Sequence, residues 1–299
     1  MGSDCRLTLY AADERDADQA ADVTMTEVWR IEEKYSRYLD NNALSAINRA
    51  ALAGGKVDVD DETVELFNYA FAAYQLSIGL FDVSSGVLRR VWDFSSGQLP
   101  SQAAIETILP LIGLGKVARA APQLDFLQAG MELDFGGIGK EYAVDRSADI
   151  CHAAGIQSGL LDFGGDIRVL GPHPDGSPWE VGIRHPRQPE VSLGNIQLMS
   201  GAVATSGDYE RYIEVAGKRY CHILNPLTGW PVDGLCSVTV TAGQCLLAGT
   251  LATIAMLKEE GGKRWLAELG VQHCWVDGEL RVGGNIELCH SGESRNSGG

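Results

Sequence analysis

With 299 residues, 45% of them hydrophobic and 21% charged, the chain has the composition of an ordinary globular protein, long enough for one large domain or two intimately joined ones. Its 24 basic residues face 40 acidic ones, for a formal charge of −16, and no basic run interleaves with aromatics, which argues against a nucleic-acid partner. No apolar run approaches the roughly 20 residues of a membrane span, and the first residues lack the basic start and apolar core of a signal peptide.

Taken in chain order, residues 6–10 read as an edge strand and 17–35 as a helix with Val23, Val28 and Ile31 at apolar positions. The helix runs into a polar, aromatic loop over 35–48. Its tyrosines, Tyr35 and Tyr38, can plug a core or stack on a flat ligand with polar edges. Residues 62–77 have helical spacing and a broad apolar face, stopped by Gly79. Residues 80–88 read as an extended turn into Trp92, 101–111 as a helix capped by Ser101, and 125–134 as a strand. Residues 133–145 then give a strand, a glycine turn and a helix over 140–150.

In that turn, Gly136 and Gly137 let the backbone approach a ligand closely. The first helical amides, with Lys140 beside them, suit a phosphate. Leu161-Asp162-Phe163-Gly164-Gly165-Asp166 repeats the Asp-Phe-Gly-Gly core, and neither copy fits a Rossmann or P-loop pattern. Antiparallel β-structure follows: strands over 167–170, 179–183 and 196–199, a hairpin of 211–215 with 219–223, and a buried strand over 237–241. Helices are expected over 246–257 and 263–269, and a hairpin of 273–276 with 279–282 across Asp277-Gly278. Residues 1–290 read as one domain and 291–299 as a disordered tail.

Two stretches of this second half concentrate reactive groups. Thr205-Ser206-Gly207 offers hydroxyls at a turn, which suits phosphate or ribose oxygens, although turn chemistry alone explains it as well. His222 stands at a strand end before a constrained Asn225-Pro226 turn, where a titratable group can be held against a ligand; a lone histidine is more often structural. Seven cysteines, none in a Cys-x-x-Cys spacing, are expected to be reduced and mostly buried.

In this order the phrases resemble the FAD:protein FMN transferase (ApbE) family. The resemblance runs from near Met1 to about Leu257. It rests on Met1-Gly2 before a strand, Ser36-Arg37-Tyr38 with Ile47-Asn48, Gly79-Leu80-Phe81-Asp82 with Gly86, residues 134–145, 162–166, Thr205-Ser206-Gly207, residues 222–229, and Leu251-Ala252-Thr253. It implies an α+β protein of two intimately packed α/β lobes with a flavin cleft between them. The implied activity is magnesium-dependent transfer of FMN from FAD onto a threonine or serine hydroxyl of a target flavoprotein, with release of AMP. By position, His222 falls on the family's catalytic histidine and Lys140 on a phosphate clamp. Tyr38, Asp134, Gly136, Gly137, Asp162, Gly164, Gly165, Thr205, Ser206, Gly207, Asn225, Thr228 and Gly229 would contact FAD, and Gly139, Gly249 and Thr253 mark the metal site. The protein would be cytoplasmic if the chain is complete and periplasmic if an export signal precedes it.

The sequence departs from the family where Gly249 replaces an aspartate four residues before Thr253, Glu141 replaces a glycine, Gly139 an alanine and Asn225 an aspartate. A magnesium site built on the Thr253 hydroxyl, the Gly139 carbonyl, water and phosphate lacks a carboxylate, so Gly249→Asp is expected to tighten the metal and add a little helix stability. Besides a working transferase, two readings stay open: a flavin-binding protein without transfer activity, and an FAD pyrophosphatase yielding FMN and AMP.

Overall fold

The computed structural model describes residues 3–289, so Met1-Gly2 and the tail over 291–299 lie outside the described residues. The first half contains β1 (Cys5–Tyr10), α1 (Glu14–Tyr35), α2 (Ala43–Ala53), β2 (Lys56–Asp58), α3 (Asp61–Leu76), α4 (Gln102–Ile108), β3 (Val117–Ala120), β4 (Gln123–Phe126) and α5 (Gly139–Ala153). After it come β5 (Ser158–Phe163), β6 (Asp166–Gly171), β7 (Trp179–His185), β8 (Gln188–Leu198), β9 (Gly201–Gly207), β10 (Tyr212–Val215), β11 (Lys218–Cys221), β12 (Leu235–Ala242), α6 (Cys245–Leu257), α7 (Glu260–Leu269), β13 (His273–Asp277) and β14 (Val282–Gly284). The α+β character expected of the sequence is observed. Helix α1 begins earlier than its apolar spacing suggests, because Asp13 caps it by accepting from the Asp16 amide and its first turn is polar.

Seven strands form one antiparallel sheet in the order β1-β5-β6-β9-β12-β13-β14. Helix α5 packs on β5 and β6, and α6 on β6, β9 and β12, with α1 against α5 and α7 against α6. On the opposite face the β7–β8 hairpin packs Val181, Ile183 and Ile196 against Val203 and Cys274. Covered on both sides, β9 and β12 read as the continuous small and branched runs Ala202-Val203-Ala204 and Val238-Thr239-Val240, all buried. A smaller apolar cluster joins Val87, Leu88, Trp92, Ile105 and Ile112 to Ile213 of the β10–β11 hairpin.

Four expectations need correction. The strand over 125–134 ends at Phe126; Leu133 is instead held by the Asn48 side chain, which accepts from its amide at 2.7 Å and donates to its carbonyl at 2.9 Å, so no neighbouring strand is needed. The extended turn over 80–88 is a 3₁₀ helix, Val83–Arg90, capped by the buried Asp82, which accepts from the Ser84 and Leu114 amides. The Thr205-Ser206-Gly207 turn is the end of strand β9. The hairpin at Asp277-Gly278 is wider than two residues: Val276 pairs with Val282, and the loop wraps the buried Asp277 carboxylate, which accepts from the Glu279 and Arg281 amides. Among the described residues all seven cysteines are free, and five are buried.

Glu62 ties three helices together. It accepts from Arg30 and Lys34 of α1 and, at 2.7 Å, from the Tyr142 hydroxyl of α5. Burial opposes its charge, but these donors outweigh it and hold the carboxyl at about 2. A depressed folded-state value stabilises fully above the unfolded value of 4.5, and the contribution is lost as pH falls toward 2. Glu62→Gln should therefore remove about 1–2 kcal/mol at pH 7, less than the full shift because solvent screens a partly exposed group, and flatten the acid limb of stability between those values, as read by denaturant titration at several pH values.

Candidate functional site

The loop after α1 divides its tyrosines by environment. Tyr35 is buried, shares a 3.0 Å hydrogen bond with Thr63 and meets Phe135 edge-on, so it plugs the core. Tyr38 is 73% exposed and free to meet a ligand. Arg37 organises the loop: it donates to Asp134 at 2.6 Å and to the Tyr38 hydroxyl at 3.0 Å, and its guanidinium lies 5.0 Å from the Tyr38 ring centre. Hydrogen bonding from Arg37, with Arg211 adding to it, pulls the Tyr38 phenol below its ordinary value of 10.0.

The repeated Asp-Phe-Gly-Gly makes two different turns. In the second, Gly164 and Gly165 have φ of 62° and 91° and close the β5–β6 hairpin, with Phe163 opposite Asp166. Only glycine accepts two such residues in succession without strain. In the first copy, Gly136 and Gly137 are not left-handed; the chain turns through amides of Ile138 and Gly139 that donate to the Phe135 carbonyl and enters α5 directly. Both aspartates serve their own turns, Asp134 accepting from Gly136 and Asp162 from Gly165, each at 2.8 Å. No side chain caps α5 at Ile138, so beyond Gly139, whose amide is taken by the Phe135 carbonyl, the next amide of the first turn, that of Lys140, is left for solvent or a ligand.

His222 follows β11. Its Nδ1 lies 3.3 Å from the Arg211 carbonyl, an acceptor only, so this contact is a hydrogen bond only when Nδ1 carries the proton and Nε2 keeps its lone pair. The ring reaches solvent yet is crowded by protein. That desolvation pushes its pKa below the ordinary 6.5, and the positive charges of Arg211 and Arg37 push the same way. At neutral pH the imidazole is a free base. Arg37 and Arg211 are the positive charges felt at His222, and no sequence motif singled them out for that role.

Lys140 is not a lone charge at the start of α5. Its ammonium pairs with the buried Asp166 at 2.8 Å. Burial opposes that charge, but Asp166 and Glu141 outweigh it and raise its pKa above 10.5. Glu141, next along α5, is also buried. Desolvation, then the nearby Asp166, pushes its carboxyl well above 4.5.

Helix α5 sets the position of α6. Asp145 accepts from the Cys245 and Leu246 amides at 2.9 and 2.8 Å, capping α6 from its neighbour. One turn along α6 is Gly249, and one turn back along α5 is Glu141. A Cβ at Gly249 would stand 2.7 Å from Glu141 Cγ and 2.9 Å from its Oε1, so the Glu141 side chain already fills the space of a residue 249 side chain. This overturns the expectation that Gly249→Asp is a simple repair. The two departures from the family pattern are one feature, invisible while positions 141 and 249 are read separately.

Thr253, one turn beyond Gly249, donates to Ser206 at 3.3 Å. Thr205 instead bonds Thr239 across the strands at 2.8 Å, so these neighbours on β9 point to opposite sides of the sheet and only Ser206 faces α6. Gly207 ends that strand opposite Ser237. Asn225 accepts from the Leu227 amide and Thr228 from the Trp230 amide, building the turn after His222. Gly229 is buried, donates no side chain, and offers its carbonyl to Trp92 at 2.7 Å, which accounts for it by packing. A Cβ at Gly139 would meet open space.

A model of the ApbE family matches residues 1–275. The chain is 32% identical to the FAD:protein FMN transferase of Klebsiella pneumoniae over 82% of this chain and 76% of that protein. To the FAD:protein FMN transferase of Rhodobacter capsulatus it is 32% identical over 77% of this chain, and it spans 45% of that longer protein. The solved ApbE protein of Thermotoga maritima shares its fold with a TM-score of 0.87 at 31% identity, over 95% of this chain and 94% of that one. With nearly the whole length matched in sequence and in fold, the chain belongs to the ApbE family.

Proposed function

We propose that this chain is an FAD:protein FMN transferase: it moves FMN from FAD onto a threonine or serine hydroxyl of a partner flavoprotein, releases AMP, and works with Mg²⁺. The observation that carries this reading is His222, a neutral histidine whose Nδ1 faces a carbonyl and whose Nε2 is free, set among Arg37, Arg211 and Tyr38. The acceptor oxygen forms a bond to the FMN phosphorus as the pyrophosphate bond to AMP breaks. Nε2 of His222 takes the hydroxyl proton, and AMP leaves with the bridging oxygen.

Tyr38, exposed and oriented by Arg37, offers a face for the isoalloxazine or adenine ring. The uncapped start of α5 beyond Gly139 offers a backbone amide to a phosphate, and Arg37 and Arg211 offset phosphate charge. Mg²⁺ would neutralise pyrophosphate charge, and the residues here fit a hard cation: the Glu141 carboxylate with a buried Oε2 that meets no N–H or hydroxyl donor, the Thr253 hydroxyl and the Gly139 carbonyl. No described helix is long and apolar enough to cross a membrane.

Flavin binding is the first test. Titrating FAD in metal-free buffer while following flavin fluorescence should give saturable quenching with a near-equimolar endpoint. Binding no tighter than to an unrelated acidic protein would remove the flavin from the account.

A further inference from the structure

We propose that Glu141 is this chain's carboxylate ligand for the divalent cation, delivered from α5 into the space that a side chain at 249 on α6 would otherwise occupy. The need for a cation rests on the transferase reading; the site rests on the packing of α5 against α6.

Three observations converge. The Asp145 cap on the Cys245 and Leu246 amides fixes the two helices in register, and this places Glu141 against Gly249. Only a glycine leaves room there, since a Cβ at 249 would overlap Glu141. Glu141 is 8% exposed, and its buried Oε2 meets no N–H or hydroxyl donor, with the carboxyl of Asp166 as its polar neighbour. The neighbouring Asp166 pairs with Lys140 at 2.8 Å and stands close enough to Glu141 for the two carboxyls to interact directly. Two buried carboxyl groups stand beside one ammonium, and holding both in the charged form there is costly without a further cation.

The donors that can complete the site are all oxygens. Thr253 lies one helical turn beyond Gly249, and the Gly139 carbonyl lies two residues before Glu141. Hard oxygen donors with one or two carboxylates suit Mg²⁺ or Mn²⁺, which fill their remaining positions with water and phosphate. Among the described residues no three His, Cys, Asp or Glu side chains converge, which sets this apart from an all-protein transition-metal cage.

The test uses the full chain and its Glu141→Gln, Glu141→Gly and Glu141→Gly/Gly249→Asp variants. Mn²⁺ binding is followed by electron paramagnetic resonance without flavin, and FAD binding separately by fluorescence in metal-free buffer. Each single variant should weaken Mn²⁺ by at least about tenfold, the lower range for loss of an outer-shell partner. The double variant, which moves the carboxylate back to α6, should recover most of that affinity. Circular dichroism confirms that each is folded. Unchanged Mn²⁺ affinity in Glu141→Gln, or no Mn²⁺ binding by the natural chain, overturns the proposal. If no protein binds FAD while Mn²⁺ binding still depends on Glu141, the flavin reading falls and the cation site stands.

Discussion

His222→Asn lowers flavin transfer by about 10²–10⁴-fold and leaves FAD affinity within about tenfold, the pattern expected when a general base acts mainly in the transition state. The structure supplies both halves of this expectation. The Arg211 carbonyl sets the tautomer that leaves Nε2 unprotonated, and desolvation with two nearby arginines keeps the ring uncharged at neutral pH. A depressed pKa also fixes the sign of the pH response: the base is available above its lowered value and is lost as acid protonates the ring. Transfer in the natural enzyme should therefore rise through a midpoint below 6.5, and the residual activity of the variant should lack that limb. Equal loss of FAD binding and of rate would make His222 a positioning residue. Full retained activity would remove it from the chemistry.

Gly249→Asp alone destabilises the fold by about 3 kcal/mol or more, combining steric overlap in a packed core with a second buried carboxylate beside Glu141. The overlap is direct, because the new Cβ would lie 2.7 Å from Glu141 Cγ on a helix capped by its neighbour. Thermal and denaturant unfolding measure the effect. In the Glu141→Gly background the same aspartate should cost far less, since the space and the charge are then vacant. Equal destabilisation in both backgrounds would show that the two positions do not compete for one space.

Local chemistry was legible wherever it depended on neighbours in sequence. The α5 and α6 spans, the β10–β11 hairpin and the placing of His222 at a strand end follow from apolar spacing and turn residues. The expected Thr205-Ser206-Gly207 turn is a strand because hydroxyl residues can line both faces of a sheet when other hydroxyls answer them, as Thr239 and Thr253 do here. The 3₁₀ helix after Asp82 and the loop around Asp277 escaped because each is built on a buried aspartate that caps backbone from within, and sequence spacing carries no signal of burial. The candidate site divided in the same way. The glycine turns and Lys140 were visible as a local pattern, whereas the ion pair with Asp166 and the contact of Glu141 with Gly249 exist only once α5, α6 and β6 are packed together.

The central claim, that FMN moves from FAD to a protein hydroxyl, is tested most directly by intact mass analysis of an acceptor peptide bearing a threonine, incubated with the chain, FAD and Mg²⁺. The account predicts a peptide heavier by one FMN unit, AMP in equal amount, and no product when the threonine is replaced by valine. Free FMN and AMP with an unmodified peptide would make the chain an FAD pyrophosphatase, and bound FAD that stays intact would leave it a flavin-binding protein; either result contradicts the claim.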